Sequence, residues 1–332
     1  MPTTIRDVAL RAGVSIATVS RVLNRSDHPV RAALRARVEA AARELDFRPS
    51  SLARGLAGRE TRTLALVVPD IANPYYPRLS RGVEDVASAA GYALIVCNTD
   101  YRVDKLALYL QLLREKRVDG VLLAGGGHEN PADLAELADA DLPLQAIGRH
   151  PLAAPSVRID NVAAGRAATA HLLERGRRRI AFVGGPAAHT TVGDRRRGYR
   201  QALRAAGLRP LPRLEIETSF SPADGELAAR RLLEPAHQPD AVFAVNDYLA
   251  IGVVHGLLAA GRRVPDDVAV IGFDDLPLAA YFRPSLSSVA VPAYELGTAA
   301  TEQLLRQLAG ETVGETLWLE TRVVARESSG AS

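Results

Sequence analysis

One cysteine, Cys97, stands among 332 residues. A single thiol excludes a disulfide framework within the chain and any multi-cysteine metal cluster, and it fits a reducing compartment. Long hydrophobic runs are missing too. The opening MPTTIRDVALRAG breaks every apolar stretch with a charge, so no secretory leader is expected. No later run approaches the roughly 20 apolar residues that span a bilayer, so no membrane partner is expected. Catalytic signatures are equally scarce. Gly125, Gly126 and Gly127 follow a predicted strand without the lysine of a phosphate loop, neither GxGxxG nor GxSxG occurs, and the 7 histidines are scattered rather than spaced as zinc ligands. No cofactor, metal or enzymatic activity is expected.

What is present is a large apolar fraction, 47%, enough for two or three domains that each bury a core. The net charge of +3 is unevenly spread: residues 1–60 hold 11 arginines against 6 acids, and the remainder carries a slight acidic excess. Basic charge gathered on a small terminal domain is the electrostatic footprint of a nucleic-acid reader, although such charge also occurs on helix faces that are merely solvated.

Local patterns sharpen the first possibility. Ile5, Val8 and Ala9 recur at helical spacing after Thr4, an N-cap type, and the run stops at Gly13. Ser15 is a second N-cap, followed by Ile16, Val19, Val22 and Leu23 in helical rhythm. A third pattern over residues 31–45 carries Leu34, Val38, Ala41, Ala42 and Leu45. Three short helices with a glycine turn between the first two follow the helix-turn-helix plan, with a generic three-helix bundle as the alternative.

The stretches TIRDVALRAGVSIATVSRVLN and VEAAARELDFRPSSLARGLAG closely resemble the lactose-repressor (LacI/GalR) family, and the resemblance continues along the whole chain. It implies a bacterial, cytoplasmic, nucleoid-associated homodimer on a palindromic double-stranded operator with a central CG step. It also implies three segments: a DNA-binding head over 1–48, a hinge helix over 49–60 and an effector-binding and dimerisation domain over 61–332. DNA contact then falls to Thr4, Ser15, Ile16, Ala17, Thr18, Ser20, Arg21 and Asn24 in the head and to Ser51, Ala53, Arg54 and Leu56 in the hinge. Arg21 is the expected guanine reader because its fork matches O6 and N7, while Ile16 and Ala17 offer only methyl contact. Leu56 is expected to wedge into the minor groove of the operator. Ser50 and Gly55 depart from the family pattern and imply a looser hinge.

From Thr63 the pattern changes to short apolar strands alternating with amphipathic helices. TLALVV, YALIVC, VDGVLLA and LQAI form one series, and RIAFVGG, AVFAVND and VAVIGFDD a second. Two such series predict two parallel-sheet α/β lobes, Rossmann-like, with a ligand cleft at the carboxyl ends of their strands. The resemblance implies the periplasmic-binding-protein-like fold, with one lobe built from about 61–160 and 292–318 and the other from about 161–291 and 319–332. It places Asn73, Tyr75, Tyr76, Arg149, Asp160, Arg195, Phe220, Asn246 and Asp274 around the effector, and Val291 and Ala293 at a less polar pocket floor. One arginine beside carboxylates and amides suits vicinal hydroxyls, which both donate and accept, so a sugar or polyol is expected. Two alternatives stay open: a DNA-binding regulator without small-molecule control, and a sugar-binding protein with a vestigial DNA head. The terminal VVARESSGAS adds no leucine heptad, so a tetramerisation tail is not expected.

Overall fold

A computed structural model of the chain describes residues 3–23, 30–47, 61–115, 117–126, 142–151, 154–186 and 188–330. The chain divides into two compact units, residues 1–61 and 62–332.

The first unit holds α1 (Ile5–Ala12), α2 (Ile16–Leu23) and α3 (Ala32–Glu44). Thr4 and Asp7 form a capping box at the start of α1, with the Thr4 backbone N–H (2.8 Å) and hydroxyl (2.7 Å) both donating to Asp7 Oδ2. Gly13, at φ 61°, ends the helix in the left-handed conformation that glycine adopts most cheaply and turns the chain into α2. Val8, Ala9, Ala12, Val19, Val22, Val38, Ala41 and Ala42 then meet in one core. Arg37 of α3 reaches across to donate to the Ala12 carbonyl at 2.6 Å, one of the acceptors that the end of α1 leaves over.

The second unit has two lobes. In the first, β1 (Thr63–Val68), β2 (Ala93–Asn98), β3 (Gly120–Ala124), β4 (Leu144–Ile147), β5 (Ser156–Ile159) and β11 (Thr316–Leu319) form a parallel sheet in the order β11-β5-β4-β3-β1-β2. Strand β1, flanked by β3 and β2, is apolar on both sides. Leu64, Leu66 and Val68 face one core, and Ala65 and Val67 face the other, the period-2 alternation that a doubly covered parallel strand requires. Leu66 sits opposite Val96 of β2 and Leu122 of β3. Helices α4 (Tyr75–Ala89) and α10 (Ala293–Leu308) pack together on the first of these cores, and α5 (Val103–Glu115) packs on the second.

The second lobe has β6 (Ile180–Gly184), β7 (Glu215–Glu217), β8 (Ala241–Ala244) and β9 (Ala269–Ile271), parallel in the order β7-β6-β8-β9. Single bridges, Ile271 to Ser287 and Asp274 to Ala290, extend it toward an antiparallel pair, β10 (Ser288–Ala290) and β12 (Arg322–Val324). Around it lie α6 (Asn161–Glu174) with α7 (Thr190–Ala205), and α8 (Pro222–Leu232) with α9 (Asp247–Ala259). The chain passes between the lobes at residues 159–161, 290–293 and 319–322. Two parallel sheets over two lobes is the architecture that the alternating pattern implied, and the described residues of the head are helical as its own spacing implied.

Candidate functional site

In the head, α2 buries Val19 and Val22 and turns Ile16, Ala17 and Arg21 outward, with Thr18 and Ser20 at the margin. Ser15 caps the helix: its Oγ accepts from the Thr18 N–H at 3.2 Å and lies 2.9 Å from the Thr18 hydroxyl. Thr4 and Ser15 are exposed at the starts of α1 and α2. Six of the head residues expected to meet DNA therefore lie on α2 or at its cap, on the side away from the core. Asn24, Ser51, Ala53, Arg54 and Leu56 lie outside the described residues.

In the second unit, the strand ends of both lobes converge on a cavity of about 120 Å³, where parallel α/β sheets bind their ligands. Asn73, Tyr75, Tyr76, Arg195, Phe220, Asn246 and Asp274 all line it. Arg195, on α7, donates through Nε to Asn161 Oδ1 at 2.9 Å and through Nη1 to the Val245 carbonyl. Its guanidinium carbon lies 3.5 Å above the centre of the Phe273 ring, a cation-π contact. Guanidinium N–H donors remain to face the cavity.

Asp274 follows β9 at φ 115°, a strained conformation for a residue with a side chain. The surrounding bonds hold it there. Its N–H donates to the Val289 carbonyl at 2.9 Å, and buried Asp247 ties the same loop to α9 and β10 by accepting from the Leu276 N–H (2.8 Å) and the Ser288 hydroxyl (2.6 Å). Burial pushes the Asp274 carboxyl up to about 7 against the opposing pull of Arg195. Burial, and then the nearby Asp274 carboxylate, push Asp247 up as well. Asp247 spends both oxygens on protein donors, whereas the Asp274 carboxylate accepts no hydrogen bond from any described residue. Buried acceptors are ordinarily satisfied, and the carboxylate lies on the cavity lining, so its acceptor capacity is left to what the cavity holds.

Asn73 and Asn246 both line the cavity at helix starts: Asn73 Oδ1 accepts from the Tyr75 N–H (3.0 Å) in the turn before α4, and Asn246 caps α9, its Oδ1 accepting from the Leu249 N–H (2.7 Å). Their amide N–H₂ groups remain as donors. Burial pushes the phenols of Tyr75, Tyr76 and Tyr101 up, so all three stay neutral hydroxyls at physiological pH.

Two expected effector residues have other work. Arg149 does not line the cavity. Its guanidinium makes a bidentate pair with Asp194 of α7, at 3.0 and 2.9 Å, and so joins the two lobes beside the cleft. Asp160 does not line it either, since its Oδ1 caps α6 by accepting from the Val162 and Ala163 N–H groups at 3.0 and 2.9 Å. The reason is local: a carboxylate directly before a helix is drawn to the free N–H groups of the first turn. Val291 and Ala293 are buried outside the cavity lining, so they do not make its floor.

Sequence reading missed Asn161, Tyr101 and His189. Tyr101 follows β2, stacks on Phe220 of the other lobe (centroids 5.0 Å apart, planes at 24°), and meets His189 edge-on. Neither Tyr101 nor His189 belongs to a spaced motif. Asn161 did carry a signal, as a polar residue directly after a cap at a strand end.

Residues 4–50 match the family described as bacterial regulatory proteins, lacI family, and residues 169–329 match a periplasmic binding protein-like domain. The ribose operon repressor of Halalkalibacterium halodurans is 37% identical over 98% of this chain and 97% of its own length. The chain belongs to the lacI family. Among solved structures, this lacI-family chain is similar to the lac repressor dimer bound to operator and the anti-inducer ONPF (TM-score 0.88, 26% identity, all of both chains). It is also similar to a LacI family regulator from Enterococcus faecium with bound ribose (TM-score 0.73, 30% identity, 80% of this chain and 98% of that one).

Proposed function

We propose that this chain is a dimeric, sequence-specific repressor of a carbohydrate-utilisation operon, controlled by a small sugar or polyol held between its lobes. The observation that carries the reading is the juxtaposition of Asp274, a buried carboxylate that accepts no hydrogen bond from any described residue, with Arg195 on the lining of the same cavity. A vicinal diol answers both, donating to the carboxylate and accepting from the guanidinium. A volume of 120 Å³ corresponds to about ten water-sized spaces, which matches a monosaccharide better than a dinucleotide.

The head, residues 1–48, would read the operator through α2, with Arg21 on guanine and Ile16 and Ala17 against methyl groups. Residues 49–60 would form the hinge, with Leu56 as the wedge in a palindrome centred on a CG step. The second copy fits the exposed apolar side chains Ile95 and Val96 on the edge strand β2 and Leu278 and Tyr281 in the second lobe, a reading supported by the likeness to a repressor solved as a dimer. DNA as partner places the protein in the bacterial cytoplasm. Ligand and operator would then be linked reciprocally through one conformational equilibrium.

A gel shift against such a palindrome, combined with a thermal-shift panel of ribose, other monosaccharides and their phosphates, tests this. The expected result is a specific band and a rise in melting temperature with one or a few neutral sugars. A missing band would leave a sugar-binding protein with a vestigial head, and a panel without any stabilisation would leave a regulator without small-molecule control. Arg21→Ala should cost about 1 to 3 kcal/mol and relax preference at one base pair per half-site.

A further inference from the structure

Three helix pairs in the second unit cross through glycines that face the partner's backbone. A Cβ on Gly82 of α4 would lie 2.1 Å from the Tyr294 carbonyl oxygen, and one on Gly297 of α10 would lie 2.3 Å from that of Leu79. In the α8–α9 pair, Gly225 and Gly252 would meet the Leu249 and Pro222 carbonyls at 2.2 and 1.8 Å. Small residues let helix axes approach more closely than side chains permit, so each pair is a tight crossing.

The α6–α7 pair differs in what the glycine touches. A Cβ on Gly165 would lie 2.5 Å from the oxygen, 2.9 Å from the Cα and 3.0 Å from the carbonyl carbon of Arg195, the charged residue whose guanidinium lines the cavity. Gly198 returns the contact, with 2.1 Å to the Val162 oxygen. One turn before Gly165, on the same face of α6, stands Asn161, the acceptor for Arg195 Nε. One turn after it, the Thr169 hydroxyl folds back onto the Gly165 carbonyl at 2.9 Å, which keeps the stripe narrow. Arg195 is therefore held at its backbone by the missing side chain of Gly165 and at its head group by Asn161.

We propose that Gly165 and Asn161 together set where Arg195 stands in the cavity, which makes Gly165 a positioning residue for effector recognition although it lines no part of the site. The inference rests on the reading of Arg195 as a sugar contact. Adding one methyl at position 165 forces α7 outward by roughly an ångström to reach ordinary contact distance. Binding constellations tolerate about half of that.

The test uses the full chain with ribose as probe, and the crystal structure of Gly165→Ala as a readout independent of any sugar. In that structure, the Arg195 guanidinium should have left Asn161 Oδ1. Titration calorimetry should show ribose binding at least tenfold weaker, with the operator band in the absence of sugar unchanged. Gly82→Ala supplies the control, because it creates an overlap at least as severe, 2.1 Å to a carbonyl oxygen, whose neighbours, Tyr294 and Thr298, are not cavity residues. It should lower the melting temperature and leave ribose affinity within twofold. Should Gly165→Ala fail to fold, Asn161→Ala should weaken ribose several-fold, and Asn161→Asp, which keeps the acceptor, should restore most of the loss.

Arg195 unmoved in the Gly165→Ala structure would overturn the proposal. So would Gly82→Ala weakening ribose as much as Gly165→Ala, or Asn161→Ala leaving ribose affinity unchanged. A wild-type chain that takes up no ribose would count against ribose as effector, and the positioning of Arg195 would then be decided by the Gly165→Ala structure alone.

Discussion

The two lobes meet the cavity with different chemistry. The lobe of β6 to β9 brings Arg195 and Asp274, each fixed by its neighbours: Asn161 and Phe273 hold the arginine, and the Val289 carbonyl, with Asp247 pinning the same loop, holds the aspartate. The lobe of β1 to β5 brings Tyr75 and Tyr76 from the start of α4 and Asn73 and Tyr101 from the loops after β1 and β2, while its two cavity-lining arginines are engaged elsewhere, Arg102 with Asp104 and Arg158 with the Thr316 hydroxyl and the Trp318 ring. Buried charge demands an exact setting, because an uncompensated ion in low dielectric is costly, whereas an aromatic surface tolerates small displacements. On the proposed reading, the lobe of Arg195 and Asp274 supplies recognition and the other supplies cover.

That contrast can be broken in order of expected effect. Arg195→Ala should weaken the effector by about a hundredfold or more, since it removes charge-assisted hydrogen bonds and leaves Asp274 buried without its cation. Calorimetry checks this, and an unchanged affinity would move recognition to the aromatic lobe.

The second test is pH. The Asp274 carboxyl titrates near 7 in the folded chain against 3.8 in its ordinary state, so the folded form holds the extra proton between those values. The empty protein should accordingly lose stability as pH rises through that window. Sugar hydroxyls donate to the ionised form, so effector affinity should rise by up to about tenfold from pH 6 to 8. Asp274→Asn should flatten that slope.

Tyr101→Ala removes the stack on Phe220 and should cost about fivefold in affinity, the worth of one aromatic pair. Smallest is Arg149→Ala. Its guanidinium is half exposed, so breaking the pair with Asp194 should cost only about two- to threefold, and less at high salt. A large, salt-independent loss would make Arg149 an effector contact after all.

Much of this was legible in the residues. Strands buried on both faces, such as TLALVV and AVFA, announce themselves as unbroken apolar runs. The edge and crossover strands do not: EIE at β7, SVA at β10 and RVV at β12 are too short and too polar to stand out from loops, and their neighbours in the sheet decide them. Arg195 and Asp274 could be named because each sits in a motif. Tyr101, His189 and Asn161 reach the same cavity from three separate loops or helix starts, a convergence that no linear spacing records. Asp160 shows the opposite failure. A polar residue at a strand end has two fates, site or cap, and the four-residue context DNVA pointed to the cap.

The three crossings at 159–161, 290–293 and 319–322 have a mechanical consequence. A single tether would let one lobe slide, twist or swing on the other, but three strands side by side resist shear and torsion and yield chiefly to bending. Such a joint has close to one degree of freedom. On the proposed reading, a ligand in the cavity would then say only one thing to the rest of the molecule, an opening angle, and any two ligands that impose the same angle would be synonyms to the machinery beyond it.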